Sequence, residues 1–505
     1  MEKYLYTRNN GTYDYNLIMA YPAKEEFALS SLGYLKLFQI ADTFSGINAK
    51  MINTDNPASP YKDTDSIAFS MSFDFDFLGV LEILDKNKIP FKSNERNENC
   101  PLIFAGGPVI TTNPAPYKEI FDFMLIGDGE NSFKKVLNVL KEKKEKKVTL
   151  KKLSEIEGVF VPSINTKVKN LSENLNDIIY TPILSDKSYF KNTFILELQR
   201  GCMNRCAFCT ASYLNLPFRS CQYDKIIETI ELGLNHTNKI ALLGAQISAH
   251  PNFKEIISYL ENKIEKNRSI ELGISSLRTD SVYPDLIKTL VLGGQKNSTI
   301  AIEAASERLR KFINKNLTDE QIFNAVRICR ENGLKGLKIY SMIGIPTETN
   351  EDIYEFINLA KKLKDENKGF HFTFSFSTFI PKPQTPLQWS AREDTKTLEK
   401  KQKYLEKELA KIGIETKFSS VKSDYWQTVL SRGDETFADY LIEVYKHGGK
   451  NSAFKSALKI TGVNIDKAIK GFEFKENLPW DIVENSVKKD YLKNEFERLS
   501  KKADI

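Results

Sequence analysis

Cysteine and histidine are both scarce in this chain. The 505 residues include six Cys and four His, too few cysteines for a fold held together by disulfides. No apolar run of about 18 residues occurs, so we expect no transmembrane helix. The N-terminus, MEKYLYTRNNGTYDYN, lacks the apolar centre of a secretory signal. These absences predict a cytoplasmic protein in a reducing compartment.

Positive charge is in only small excess over negative charge. Lys and Arg number 72 against 66 Asp and Glu, which gives a net charge of +6. The densest basic run, KEKKEKKVTLKK at 141–152, is interleaved with Glu. Mixed charge of this kind is typical of a solvated helix end or linker. We therefore do not expect nucleic acid as a partner.

Hydrophobic patterning predicts a first domain at residues 1–140. Short apolar strands alternate there with segments of helical periodicity, and two of the strands end in Gly turns. This alternation is typical of a Rossmann-like, doubly wound α/β domain. The predicted strands are 15–22, 66–73, 101–107 and 122–130, and the predicted helices are 31–44 and 77–89. Ligands of such sheets bind at the carboxyl ends of the strands.

The second half of the chain predicts a different arrangement of strands and helices. After a connector at 141–188, six consecutive strand–helix units indicate a partial (β/α)6 barrel at 189–390. Residues 391–505 are rich in Lys and predict a helical C-terminal domain. The predicted barrel strands are 194–199, 239–244, 270–276, 298–304, 336–344 and 370–379. In such barrels the chemistry lies on the loops that follow the strands.

The string RGCMNRCAFC follows the first barrel strand directly. It places Cys202, Cys206 and Cys209 in a C-x3-C-x2-C arrangement, and thiolates are the ligands that iron–sulfur clusters need. No fourth Cys lies nearby at a ligand-like spacing. One iron of a [4Fe–4S] cluster would then stay open to a substrate or cofactor. We predict a cluster at these three catalytic, metal-binding cysteines.

Two alternatives to a cluster remain at this string. A zinc site usually pairs two C-x2-C half-sites or adds His at a fixed spacing, whereas the nearest His here, His236, is 27 residues beyond Cys209. The other alternative is three unrelated free thiols, which the short spacing argues against. The remaining cysteines are read as packing residues.

The cysteine string, with Phe208 before its last Cys and its position on the first loop of a six-unit barrel, resembles the radical S-adenosylmethionine (radical SAM) superfamily. The resemblance implies a [4Fe–4S] cluster whose open iron binds SAM, and reductive cleavage of SAM to a 5′-deoxyadenosyl radical. It also implies a reductant such as flavodoxin or ferredoxin as a partner. The substrate stays unknown.

Further segments are similar to the family's SAM contacts, strand by strand. LLGAQIS stands where the family has a Gly-Gly-Glu-like turn that meets the SAM amino group through backbone carbonyls. SSLRTD follows the third strand and AIEAASERLR the fourth. MIGIPTET follows the fifth, and the resemblance implies that its Gly344 and Ile345 meet the adenine through their backbone. The residues that the resemblance assigns to SAM are Phe208, Gly244, Ala245, Gln246, Ser275, Arg278, Glu303, Gly344 and Ile345.

The first domain resembles that of the cobalamin-binding subgroup of radical SAM proteins. SIAFSMS and FAGGPVITTNPAPYKEIFDFMLIGDGE carry this resemblance, which implies that Ser70, Gly106 and Gly107 line a cobalamin groove. Residues 1–235 contain no His, so a His ligand to cobalt from this domain is excluded. Two alternatives stay open: a cobalamin without a protein nitrogen ligand, or a domain that binds none.

The resemblance names the superfamily without naming a reaction. Our first hypothesis is a radical SAM enzyme acting on an unidentified substrate, from an uncharacterised branch of the subgroup. A second is a cobalamin-dependent methyltransferase. A third is an RNA-modifying methylthiotransferase or RNA-binding protein, but such enzymes usually carry three further N-terminal cysteines, and only Cys100 precedes the barrel here.

Overall fold

The computed structural model describes residues 2–9 and 11–503 of the chain. The chain forms two compact units, each described by itself below. Unit 1 is Met1–Asn174, Ile179–Asn192 and Trp426–Lys488, and unit 2 is Leu175–Ile178, Thr193–Tyr425 and Lys489–Ile505. These units divide the predicted C-terminal segment 391–505 between them, and they assign most of the predicted connector 141–188 to unit 1.

The first part of the chain supplies most of unit 1. Its strands are β1 (Lys3–Tyr4), β2 (Tyr13–Tyr21), β3 (Gly46–Asn53), β4 (Ser66–Ser70), β5 (Leu102–Gly106), β6 (Phe123–Leu125), β7 (Val159–Phe160), β8 (Val168–Lys169) and β9 (Ile183–Leu184). Its helices are α1 (Glu25–Ala28), α2 (Leu32–Asp42), α3 (Phe77–Lys86), α4 (Pro108–Thr112), α5 (Glu130–Leu140) and α6 (Lys146–Leu153). Helix α6 thus occupies much of the basic run that was predicted as a helix end or linker.

The second part of the chain supplies unit 2 and completes unit 1. Its strands are β10 (Phe194–Arg200), β11 (Arg219–Ser220), β12 (Lys239–Gly244), β13 (Glu271–Ile274), β14 (Asn297–Glu303), β15 (Gly336–Ile343), β16 (His371–Thr378), β17 (Glu415–Phe418) and β18 (Val483–Glu484). Its helices are α7 (Tyr223–Leu234), α8 (Phe253–Lys266), α9 (Pro284–Leu292), α10 (Glu307–Phe312), α11 (Asp319–Glu331), α12 (Asn350–Glu366), α13 (Thr395–Lys411), α14 (Val421–Ser431), α15 (Phe437–Lys446), α16 (Asn451–Thr461), α17 (Asp466–Lys470) and α18 (Lys489–Ala503). None of the helices in the described part of the chain is long and apolar enough to cross a membrane.

The main sheet of unit 1 has the strand order β3-β2-β4-β5-β6-β7. Strands β2 to β6 run parallel, and β7 closes the edge antiparallel to β6. The order reverses between β2 and β4, which is the switch point of a doubly wound fold. The predicted Rossmann-like architecture is confirmed. Strand β3, at the sheet edge, was not predicted.

Unit 2 contains two four-stranded sheets with the orders β11-β10-β12-β13 and β14-β15-β16-β17. A parallel bridge between Leu277 and Ile300 joins them. The six predicted barrel strands are all present as β10, β12, β13, β14, β15 and β16, so the partial barrel is confirmed. The structure adds β17, which pairs parallel with β16 and comes from the segment predicted as helical.

The strands of unit 2 bury one face and leave the other accessible. Along β14, for example, Ser298, Ile300 and Ile302 are buried, whereas the alternate residues are exposed or half-buried. Alternation of this kind places an apolar face against the helices and a more polar face inside the barrel. Capping boxes at Thr318 and Thr349 fix where α11 and α12 begin. The helices are thereby set in register with the strands that carry the site.

Candidate functional site

The three predicted cysteines lie on the loop that leaves strand β10. Gly201 begins this loop with φ +82°, and a Cβ there would lie 2.4 Å from the Asn215 carbonyl oxygen. Only glycine suits both the backbone angle and the close approach. Cys202 and Cys206 are buried and Cys209 is half-buried. The chain therefore turns sharply at the strand end and brings the thiols inward.

A segment more than 100 residues downstream braces the cysteine loop. The Ala207 N–H donates to the Ile313 carbonyl at 2.9 Å, and Asn314 Nδ2 donates to the Arg205 carbonyl at 2.9 Å. Residues 304–317 owe their own shape to Arg310, a fully buried side chain that donates to the carbonyls of Ala304, Ala305 and Leu317. No local pattern in the sequence indicates this brace, because it depends on contacts between distant loops.

Charged side chains surround Cys206. Burial raises the pKa of its thiol to about 11, and the charges of Cys209 and Glu303 also raise it. The nearby cations of Lys315 and Arg278 lower it. Lys315 is itself buried and donates from Nζ to Glu303 Oε1 at 2.9 Å. Metal binding removes the thiol proton, and cations stabilise the resulting thiolate. Lys315 is a site residue that the sequence patterns did not reveal.

Burial likewise raises the pKa of Cys209, against the effect of hydrogen bonds from Ser212 and Ala211. The Cys209 N–H donates to the Cys206 carbonyl at 3.1 Å, and the Cys209 carbonyl accepts from the Ser212 N–H at 3.1 Å. These bonds hold the last cysteine at the start of a single 3-10 turn, Thr210–Ser212. The loop that presents Cys209 is thus ordered by its own backbone.

Amide side chains lie beside Cys202 at the end of β12. Asn204 Nδ2 is 3.4 Å from Cys202 Sγ, and Gln246 Oε1 is 3.6 Å from the same sulfur. Gln199 is fully buried, and neither atom of its amide has a hydrogen-bond partner among the described residues. A Cβ on Gly244 would lie 3.0 Å from Gln199 Nε2. An unpaired buried amide costs about 1–3 kcal/mol, so this position is suited to a polar group that the chain itself does not provide.

The other residues assigned to SAM by resemblance differ in accessibility. Ala245 and Ser275 are exposed and Arg278 is half-buried, with Arg278 Nε 2.7 Å from Asp280 Oδ1. The Gly344 N–H donates to Glu348 Oε1 at 2.9 Å. The backbone donor predicted to meet adenine is therefore already used within the chain.

Phe208 and Ile345 pack into one apolar cluster, in which Ile345 is buried and Phe208 partly buried. Glu303 has a left-handed backbone, φ +68°, at the end of β14, and its carboxylate meets Lys315. The structure thus brings Glu303, Arg278 and the cysteines together through Lys315. Contacts of these residues with SAM stay a prediction.

The donor set fits an iron–sulfur cluster. Three thiols on one loop, two of them buried, have cations nearby to balance thiolate charge. Within the described residues, no three His, Cys, Asp or Glu side chains form a group that could hold a metal ion. Thiolates are the ligands of iron–sulfur clusters, so the chemistry of the three donors suits a cluster. Their role as cluster ligands stays a prediction.

Unit 1 brings its predicted groove residues to the carboxyl edge of its sheet. Ser70 and Gly106 are register partners on β4 and β5. Gly107 follows with φ +106°, and a Cβ there would lie 2.5 Å from the Met71 carbonyl oxygen. Backbone packing within the unit already requires this glycine. A role of these residues toward cobalamin stays a prediction.

Comparison with protein families matches both halves of the chain. The family described as radical SAM proteins, N-terminal, matches residues 41–162, and the radical SAM superfamily matches residues 196–360. An uncharacterized protein of Methanocaldococcus jannaschii is 31% identical over 469 residues, which cover 91% of this chain and 97% of that protein. An uncharacterized methyltransferase of Pyrococcus horikoshii is 27% identical, over 58% of this chain and 65% of its own length.

More distant relatives and solved structures share parts of the chain or its fold. A tRNA-2-methylthio-N(6)-dimethylallyladenosine synthase of Acetivibrio thermocellus is 26% identical over 39% of this chain and 42% of its own. The cobalamin-dependent S-adenosylmethionine radical enzyme OxsB, with aqua-cobalamin bound, superposes with a TM-score of 0.53 at 14% identity, over 97% of this chain and 80% of that one. The radical S-adenosylmethionine methyltransferase TsrM of Kitasatospora setae gives 0.52 at 13% identity, over 72% and 74%. At these identities the likeness to solved structures is one of fold.

Proposed function

The chain belongs to the radical SAM superfamily, and on that premise we propose that it cleaves SAM reductively to generate a 5′-deoxyadenosyl radical that acts on a substrate still to be identified. The cofactors that the family implies are a [4Fe–4S] cluster and SAM. One electron, from a reductant such as flavodoxin or ferredoxin, is needed for each cleavage event.

A single observation carries this proposal: the C-x3-C-x2-C thiols lie at the carboxyl end of the first barrel strand, near the cations of Lys315 and Arg278. Cys202, Cys206 and Cys209 would hold the cluster, which supplies the electron to SAM and offers one open iron. The loop is fixed by the contacts of Ala207 and Asn314 with residues 313 and 205. Rigid placement of this kind is what a reaction between two bound groups requires.

The chain's own residues have three tasks in this proposal. Lys315 and Arg278 place positive charge near Cys206 and favour its thiolate form. The exposed loop ends at Ala245 and Ser275 leave room for a polar cofactor at the carboxyl ends of β12 and β13. The buried amide of Gln199 has hydrogen-bonding capacity in the same region. Together they make a polar site around the thiols.

The test is anaerobic reconstitution with iron and sulfide, followed by reduction with dithionite in the presence of SAM. We expect iron and sulfide to bind, the absorbance of an iron–sulfur cluster to appear, and 5′-deoxyadenosine to form. The variants Cys202→Ala, Cys206→Ala and Cys209→Ala should lose cluster and cleavage together. Cys221→Ala is the matched control, because Cys221 is a buried cysteine whose Sγ is 3.3 Å from the Glu197 carbonyl oxygen.

Two outcomes would contradict the proposal. If the three cysteine variants bound as much iron as the wild type, the cluster would not lie on these thiols. If a fully loaded wild type formed no 5′-deoxyadenosine under reduction, the cluster would serve another purpose. The Cys221→Ala variant shows whether loss of any buried thiol disturbs the fold, and it should keep both the cluster and the cleavage activity.

A cobalamin-dependent methyltransferase is the second candidate, supported by the doubly wound unit 1 and by its likeness in fold to OxsB and TsrM. Purification with hydroxocobalamin and a spectrum of the desalted protein test it. Retention of one corrinoid per chain would support it, and a folded sample whose spectrum lacks corrinoid absorbance would reject it. Transfer of methylthio groups to tRNA is named for relatives that match 39%, 43% and 54% of this chain, and we do not extend it to this protein.

A further inference from the structure

The sulfur of Cys202 has a side-chain amide beside it, that of Asn204. Asn204 Nδ2 is 3.4 Å from Cys202 Sγ and also donates to Gln246 Oε1 in a short contact. Both amides are half-buried. Asn204 belongs to the cysteine loop itself, whereas Gln246 comes from the turn after β12. Two separate strand ends therefore meet at this sulfur.

The Asn204 amide presents its nitrogen to the Cys202 sulfur. The amide nitrogen carries two hydrogens, and its oxygen carries none. One hydrogen is taken by Gln246 Oε1, which is an acceptor only, so the second hydrogen is available to the sulfur. A thiolate that binds iron has no hydrogen left to donate. The Cys202 sulfur can therefore accept a hydrogen bond from the Asn204 side-chain N–H, and Gln246 holds the Asn204 amide in place.

We propose that Asn204 raises the reduction potential of the cluster by donating a hydrogen bond to the Cys202 sulfur, and that Gln246 is the positioning residue that orients this donor. The inference rests on the cluster of the proposed function. Reduction adds an electron to the cluster, and a donor at a ligand sulfur stabilises the added negative charge. The reduced form is favoured, so the potential becomes less negative.

This assignment separates Gln246 from the role that sequence resemblance predicted for it. In that prediction Gln246 belongs to a turn that meets SAM through its backbone. The structure shows its side chain toward Asn204 and Cys202. A side-chain substitution at Gln246 leaves the backbone carbonyls of the turn in place. Its effect on the cluster is therefore measurable apart from SAM binding by the backbone.

The experiment is a redox titration of the reconstituted full chain without SAM, followed by the EPR signal of the reduced cluster. Asn204→Leu removes the donor at similar volume and should shift the midpoint potential to a more negative value than that of the wild type. Asn204→Asp replaces the donor with a carboxylate and should shift it further. Gln246→Leu should shift it in the same direction but less, because Asn204 stays present and loses only its orientation. Met203→Leu is the control, since Met203 is on the same loop and 59% exposed.

The inference is overturned if Asn204→Leu and Gln246→Leu titrate at the potential of the wild type, or if Met203→Leu shifts as far as they do. If the Asn204 variants do not keep iron, the midpoint potential of Gln246→Leu alone decides the inference, because Gln246 lies outside the cysteine loop. A wild type that binds no cluster refutes the proposed function instead. Iron content and EPR of the wild type thus keep the two failures apart.

Discussion

Each unit has a parallel sheet whose strands end in loops at one edge, and the two edges differ in what occupies them. The edge of unit 2 carries three thiols, the buried cation of Lys315 and the unpaired amide of Gln199. At the edge of unit 1 the loops bind other parts of the same unit: Asn113 Nδ2 donates to the Ser431 and Gly433 carbonyls at 3.2 and 2.8 Å, and Gln427 Nε2 to Asp74 Oδ2 at 2.8 Å.

The difference teaches that a glycine at a strand end is a weak sign of a ligand. Gly107 in unit 1 and Gly201 in unit 2 both have positive φ and both approach a backbone carbonyl closely. In unit 1 the glycine packs against the chain itself, and in unit 2 it leads into the cysteine loop. What marks the site is the set of thiols and buried polar groups that follows, and not the turn.

The largest effect is expected from Arg310, the side chain that shapes the brace of unit 2. Arg310→Ala removes the donors to three carbonyls around a fully buried position. Buried carbonyls left without partners should cost about 3–5 kcal/mol in total. Hydrogen exchange of peptides spanning 304–317 and of the cysteine loop should rise. If these peptides exchanged as in the exposed control Arg327→Ala, the brace would not depend on Arg310.

A smaller effect is expected at the edge of unit 1. Asn113 is 3% exposed, and Asn113→Ala leaves the carbonyls of Ser431 and Gly433 without their donor. We expect a loss of about 2–3 kcal/mol in the stability of unit 1, measured by denaturant unfolding. The control is Asn138→Ala, since Asn138 is exposed and bonds only within its own helix. Equal stability of the two variants would show that the edge is not held by the C-terminal segment.

The strands of the barrel could be predicted from the sequence because they are local patterns. The three cysteines also form a local pattern, and their role as ligands stays a prediction. Strand β12 begins and ends where the periodicity predicted. Strand β3 was missed because it is an edge strand that carries Asn and Lys on its accessible face. Lys315 was missed because its place near Cys206 depends on loops that are distant in sequence. Asn204 was missed because the contact that orients it, with Gln246, joins two separate strand ends.

The same limit explains the C-terminal segment. Its helical periodicity was visible, but nothing local showed that Trp426–Lys488 belongs to unit 1. That assignment depends on packing across more than 300 residues, such as Phe454 against Phe75 and Phe77. The periodicity of either segment does not predict which aromatic side chains pack together when they are this far apart in the sequence.

The smallest effect concerns Asp76, which follows β4 at the edge of unit 1. Burial raises its pKa from 3.8 to about 6, against the hydrogen bonds that its carboxylate accepts from the Phe73 and Ser72 N–H groups. The fold therefore favours the protonated acid, so its contribution to stability is complete below about pH 4 and is lost as the pH rises through about 6. With allowance for partial exposure, the unfolding free energy of the wild type should fall by about 2 kcal/mol relative to Asp76→Asn between these limits. Denaturant unfolding of both proteins across this range measures the difference. Parallel pH profiles would mean that this carboxyl is solvated and that the edge of unit 1 is more open than its contacts indicate.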